Sequence, residues 1–350
     1  MKLILLELNE INFDVVKYYI DRGISLPAMN HVLKSGLITT KAESEYDNLE
    51  PWIQWVSVHT GKEYDEHNVF RLGDFVNSKE EQFFEKVEKA GFNVGAISPM
   101  NAANRLKNPS YFIPDPWTQT KSDKSFLSKI VSEAISQSVN DNSQSRLTFK
   151  TILSLIFAFF IMVDPRKYFF MIKYAFQALG KPWRKALFLD MFLYEIHKTL
   201  FKKKKPNFST LFLNAGAHIQ HHYFFNSPYV NSKELENPTW YIDKNEDPML
   251  EMLIVYDKLI GELISVQDTE IIIATGLSQK PYTHLKFYYR LKDHKAFLDN
   301  IGIHYSEVSP RMTRDFLISF ESSDEAIAAK EKLSRILVDS ERKLFEEIDN

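Results

Sequence analysis

Asn214-Ala-Gly-Ala-His218-Ile-Gln-His221-His222-Tyr223 is the most polar-rich stretch that follows an apolar run in the chain. Three imidazoles fall within five positions, and on a helix His218 and His222 share a face. That pattern suits proton transfer or a metal ligand, while some of the three could equally be hydrogen-bonded aromatics. A carboxylate, Glu50, stands beside Pro51 and four residues before Gln54, and Asn9-Glu10 follows the first apolar run. A carboxylate and an imidazole within reach of one another perform general acid–base chemistry, with Glu50 or His218 as the base. Asn9, Glu10, Gln54, Asn214 and His222 would orient a polyol or phosphate by hydrogen bonds. Arg314, with Arg311 nearby, could pair with phosphate, or Arg314 could pair with Asp315.

The elements that must bring these residues together follow an α/β rhythm. Residues 3–8 form an apolar strand, and residues 13–22 have helical periodicity ended by Gly23. Residues 36–40 read as a second strand, 52–59 as a helix ended by Thr60-Gly61, 80–90 as an amphipathic helix and 93–98 as a strand. The rhythm resumes with a strand at 210–213, a helix at 249–264, a buried strand at 270–274 and another strand at 314–320. Ser322 then caps an Ala-rich helix with acids in its first turn. Such alternation predicts a mostly parallel central sheet with helices on both faces. Ligands of such sheets bind outside the carboxyl ends of the strands, where the candidate residues lie. Glu7 shares the strand face of Asn9. Inside an apolar strand it is either paired or at an edge, or it supports the site from below.

Between the two α/β stretches the pattern changes, so the expected division is a first part of the core at 1–117, a helical insertion at 118–206 and the second part of the core at 207–350. Residues 152–163 are strongly apolar but too few to span a bilayer. An aromatic, basic stretch follows and ends in four lysines, Lys202 to Lys205. It reads either as a helical insertion packed on the core with a solvated lysine run, or as a membrane-surface helix pair facing an anionic leaflet. The N-terminus lacks a secretory pattern, because Glu7, Asn9 and Glu10 interrupt its apolar run. A cytoplasmic chain, peripheral at the inner membrane face, is the corresponding expectation.

Composition narrows the function classes. Of the 350 residues 44% are hydrophobic and 25% charged, which excludes wholesale disorder. A net charge of -3 argues against nucleic acid as a partner. The absence of cysteine removes thiolate nucleophiles, disulfides and Cys-ligated metals.

The order of elements and motifs resembles the alkaline phosphatase superfamily, in its phosphodiesterase, nucleotide pyrophosphatase and sulfatase-like branch. Asn9 stands where that family has a metal-binding Asp, and Val56-Ser57-Val58-His59-Thr60-Gly61 with Glu66-His67-Asn68 is similar to the nucleophile helix and its tail. Asn214-Ala-Gly-Ala-His218 is similar to Asp-x-x-x-His, Thr275-Gly276 stands at the Asp-His position, Pro51 at the nucleophile, and His284 loosely at the last His. The resemblance implies an alkaline phosphatase-like core with a rebuilt centre. An amide is a poor ligand for a transition metal and Pro cannot attack phosphorus. No cofactor, or at most one divalent metal, is therefore expected. The implied function is a metal-independent hydrolase or transferase acting on a phosphorylated or glycan substrate, as in surface polysaccharide synthesis. A non-catalytic binder of such ligands and a membrane-peripheral assembly factor are the alternatives.

Overall fold

The computed structural model describes residues 2–140, 148–230, 232, 234–286, 290–310, 315–338 and 340–347. The chain forms two compact units, Met1–Gln137 with Thr148–Leu285, and Ser138–Leu147 with Lys286–Asn350. Their elements in chain order are β1 (Lys2–Leu8), α1 (Phe13–Asp21), α2 (Pro27–Lys34), α3 (Pro51–Thr60), α4 (Tyr64–His67), α5 (Phe83–Lys89), β2 (Val94–Ile97) and β3 (Tyr111–Ile113). Four consecutive helices follow, α6 (Phe126–Asn140), α7 (Phe149–Met162), α8 (Tyr168–Gln177) and α9 (Pro182–Lys204). Then come β4 (Phe208–Leu213), α10 (Ala215–Tyr223), α11 (Pro248–Ile264) and β5 (Thr269–Ala274). The second unit holds α12 (His294–Asn300), β6 (Glu307–Pro310), β7 (Phe316–Ser319) and α13 (Ser323–Ser334).

The first unit is an α/β fold, as expected. Its five strands are all parallel in the order β3-β2-β4-β1-β5. Strands covered on both faces are buried along most of their length, and β1, β2 and β4 are so, with Glu7, Ser209 and Thr210 as polar members among mostly apolar residues. Alternation assigns the two faces. Thr210 on β4 turns toward Glu7 and α3, while its neighbour Ser209 turns toward His197 on α9. Helices therefore cover both faces, and α9 is part of one covering layer. Tyr111 on β3 crosses β2 to place its hydroxyl 2.6 Å from Ser209 Oγ. Gly95 makes room for that crossing, since a Cβ there would stand 2.3 Å from the tyrosine ring.

Three expectations need correction. Residues 36–40 form no strand: Leu37 and Ile38 are exposed, and two apolar residues without a ladder partner cannot anchor one. The strand at 270–274 is not buried. β5 is an edge strand bonded only to β1, so alternate residues face outward. The strand expected at 314–320 does not extend the core sheet, because β7 pairs antiparallel with β6. In the second unit Leu298, Ile303, Val308 and Ala329 form their own core, joined by Phe316 and Ile318.

His197 is fully buried, with Nε2 2.9 Å from Ser209 Oγ, and burial pushes its pKa down from 6.5 to about 3. The unfolded chain binds a proton that the folded chain refuses, so its contribution to stability falls as pH drops from 6.5 toward 3. His197→Gln should flatten the stability–pH curve in that window, by about 1.4 kcal/mol for each pH unit. Urea unfolding at stepped pH measures this, and an unchanged slope would refute it.

Candidate functional site

The site begins with a register between β1 and α3. Glu7 and Asn9 lie two residues apart on one strand face, a repeat of about 6.6 Å. Trp55 and His59 lie four residues apart on α3, a repeat of about 6 Å. The repeats match, and two polar rungs form. Trp55 Nε1 donates to Asn9 Oδ1 at 2.7 Å, and His59 Nε2 lies 3.3 Å from Glu7 Oε1. Glu7 Oε1 also accepts from Thr210 Oγ1 at 2.6 Å. All four rung side chains are buried, while Glu7 Oε2 and His59 Nδ1 have no partner among the described residues. Glu7 is thus paired in the interior and stands one rung below Asn9. An α3 held in this register delivers its first turn, and with it Glu50, to the rim of the sheet.

That first turn is built around Pro51, which needs no N–H partner at the start of a helix. Glu50 is the capping residue, in extended conformation, but its carboxylate makes no capping bond. Gln54 Nε2 donates to Asn48 O at 2.9 Å and so holds the preceding turn. At the other end Gly61 closes the helix at φ 72°, a left-handed conformation suited to glycine. His67 Nδ1 accepts from Val69 N at 3.0 Å, which leaves Nε2–H to donate to Ser57 Oγ at 3.1 Å. The Thr-Gly and His67 motif therefore serves to end α3 and tie down the turn after it.

The ends of β1, β4 and β5 form one rim. Asn9 N bonds to Leu213 O at 3.1 Å, and Glu10 N to Thr275 O at 2.9 Å. Glu10 takes a left-handed φ of 60° and turns its carboxylate toward α10, where His221 Nε2 lies 2.8 Å from Oε2. Gln220 Nε2 holds the turn by donating to Glu10 O at 2.8 Å. Burial alone would lower the pKa of His221, but the hydrogen bond and charge of Glu10, helped by Glu50, outweigh it and raise it. Burial raises the pKa of Glu50, and the charge of Glu10 adds to this while His221 opposes it. Glu50, Glu10 and His221 therefore form one electrostatic cluster.

His218 sits one turn before His222, with ring centroids 4.6 Å apart. Burial pushes its pKa down to about 4, aided by His222 and His221. His222 shares a hydrogen bond of 2.7 Å with the Tyr241 hydroxyl, and its pKa is also lowered by burial. Helix α10 is aimed by Asp190 of α9. The Asp190 carboxylate accepts from Asn214 N at 3.2 Å, Ala215 N at 2.8 Å and the Tyr256 hydroxyl at 2.6 Å. Burial raises its pKa to about 6 against those three bonds.

Of the residues anticipated from sequence, Asn9, Glu10, Glu50, Asn214, His218 and His222 lie on this rim, with Gln54 on the helix beneath it. Their duties differ from those anticipated. Asn9 is buried, donates to Asn214 Oδ1 at 2.8 Å and accepts from Trp55, so its amide is committed to the frame. Gln54 serves Asn48 and Glu10 serves His221. His284 is exposed, with Thr283 Oγ1 3.5 Å from its ring and Tyr282 alongside, and among the described residues no hydrogen bond or ring contact joins it to the rim. Arg314 lies outside the described residues. Among the described residues, the Glu50 carboxylate and the His218 imidazole form no hydrogen bond or ion pair and remain available.

Sequence reasoning missed four parts of the site: His221 as the partner of Glu10, Asp190, Tyr256 and Trp55. Only His221 carried a local signal, as the middle member of a histidine cluster. Trp55 fills the space beside Gly276, where a Cβ would stand 2.8 Å from the indole and φ is +67°. The two amides of the rim, Asn9 and Asn214, are bonded to each other, and no three of His, Asp and Glu converge as a ligand set among the described residues. Amides bonded to each other in this way are poor ligands for a transition metal. No family model, curated protein or solved structure matches the chain.

Proposed function

We propose that the rim is the active site of a metal-independent hydrolase or transferase for a phosphorylated or glycan substrate, on a divergent alkaline phosphatase-like scaffold. The observation that carries this reading is the contrast on the rim. Asn9, Glu10, Gln54 and His222 spend their polar ends within the protein, while Glu50 and His218 keep theirs. Their pKa values move in opposite useful directions, the carboxyl up and the imidazole down. Neutral His218 takes the proton from the attacking water or acceptor hydroxyl, and protonated Glu50 gives one to the leaving oxygen. His221, held toward its charged form by Glu10, supplies positive charge for a phosphate or a developing oxyanion.

The test is a panel of nitrophenyl phosphate monoesters, diesters and glycosides, incubated with the full chain in excess EDTA. Turnover of at least one ester or glycoside that survives the chelator is the expected result. Turnover that vanishes in EDTA and returns with zinc would overturn the metal-independent site. Tight binding of a phosphorylated sugar without turnover would overturn the enzymatic reading in favour of a binding protein.

A further inference from the structure

Helix α7 turns the wrong side chains to the solvent. Among its described side chains the exposed positions are Phe149, Ile152, Leu153, Ile156, Phe157, Phe160 and Ile161, an apolar stripe with the spacing of one helical face. The opposite side, with Ala158 and Met162, is buried. On α8 the exposed Phe169, Ile172 and Phe176 repeat the pattern, and Leu179 follows. The two stripes meet where the Phe160 and Tyr168 rings touch, 5.2 Å between centroids. Phe149, Phe169 and Phe176 are 75%, 81% and 69% exposed, so both stripes are open to solvent. Soluble surfaces scatter such residues singly, and a continuous patch of this kind marks a contact.

Charge says what covers it. From residue 151 to 189 the sole acid is Asp164, against Arg166, Lys167, Lys173, Lys181, Arg184 and Lys185, in a chain whose net charge is -3. Four of these cations pair with acids of the fold, while Lys173 and Lys185 are exposed and form no ion pair with a described residue. Thr199 of α9 donates to Met162 O at 2.6 Å, so the exposed Lys202, Lys203 and Lys204 begin within one turn of the end of the stripe. A second copy meeting this face would bring like charges together, whereas an anionic surface would meet complementary ones. The 14 residues of α7 extend about 21 Å, short of the hydrocarbon core of about 30 Å. No helix of the described residues is long and apolar enough to cross a membrane.

We propose that the α7–α8 face docks on an anionic lipid bilayer. The apolar stripe enters the boundary between headgroups and acyl chains, and Lys173, Lys185 and the lysines ending α9 meet the lipid phosphates. The helix lies in the plane of the surface.

Flotation of the full chain with phosphatidylcholine vesicles, with and without phosphatidylglycerol, tests this. The expected result is binding that requires phosphatidylglycerol and weakens with salt. The triple change Phe149→Ser, Phe169→Ser and Phe176→Ser should weaken it at least about tenfold with the Tm retained, since all three rings are exposed. Lys173→Gln with Lys185→Gln, which leaves the apolar face intact, should cost about fivefold per residue. Absence of flotation, or equal flotation of wild type and both variants, would overturn the proposal. Concentration-dependent dimerisation in ultracentrifugation that the triple change abolishes, without vesicle binding, would overturn it in favour of a second copy.

Discussion

Replacing Glu50 by Gln, or His218 by Ala, is expected to lower turnover about 10²- to 10⁴-fold with little change in Tm. The size follows from the role. A positioned acid or base changes the barrier itself, whereas removing a group that forms no hydrogen bond or ion pair among the described residues costs the fold little. The pH profile separates the two. His218 becomes a competent base as pH rises through about 4, which sets the acid limb. Glu50 stops donating as pH rises through its own pKa, which burial and Glu10 hold above the usual carboxyl range, and this sets the alkaline limb. Glu50→Gln should remove the alkaline limb and His218→Ala the acid one. If either variant instead loses activity in proportion to a lowered Tm, the residue is structural and the assignment fails. His221→Ala should act differently from both, since it also strands the buried Glu10 carboxylate and so lowers stability.

Asp190→Ala is expected to carry the largest stability cost in the first unit, about 3–5 kcal/mol. The substitution leaves three donors without their acceptor in a buried setting: Asn214 N, Ala215 N and the Tyr256 hydroxyl. The loss also spreads, because Gly216 N donates to the Tyr256 oxygen at 2.9 Å. Asp190→Asn keeps one acceptor oxygen and should cost less, and it supplies a sign test. A carboxyl whose pKa rises from 3.8 to about 6 on folding contributes stability that is present below 3.8 and lost as pH rises through about 6. The Asn variant should lack that fall. Urea midpoints across the window report both effects. An Asp190→Ala protein as stable as wild type would show that α10 is held without Asp190.

The elements were legible wherever local pattern suffices. Residues 3–8, 93–98 and 210–213 are apolar runs that can be buried only as covered strands, and the helices before Gly23 and Gly61 carry their own stop signals. Placing Asn9 and His218 on one rim followed from the rule that parallel strands end on the same side, whereas Glu50 was expected there from a strand at 36–40 that does not form and is brought to the rim by the register of α3 on β1. Residues 36–40 show where pattern misleads, because a strand needs a ladder partner and no short segment reveals whether one exists.

What only the tertiary structure decided was how each polar group is spent. Asn9 meets Asn214 across 205 residues, and Glu10 meets His221 across 211. Asp190 caps a helix that begins 25 residues later, from an element that by pattern belonged to an insertion. A side chain's type says what it can donate or accept. Whether that capacity is consumed by the frame, as in Asn9, or left for chemistry, as in His218, depends on which distant atom the topology sets within about 3 Å. The sequence by itself determined a parallel α/β core with a polar rim. Long-range packing decided that Trp55 would close its centre and that, among the described residues, a carboxyl and an imidazole would be left without hydrogen bonds at its edge.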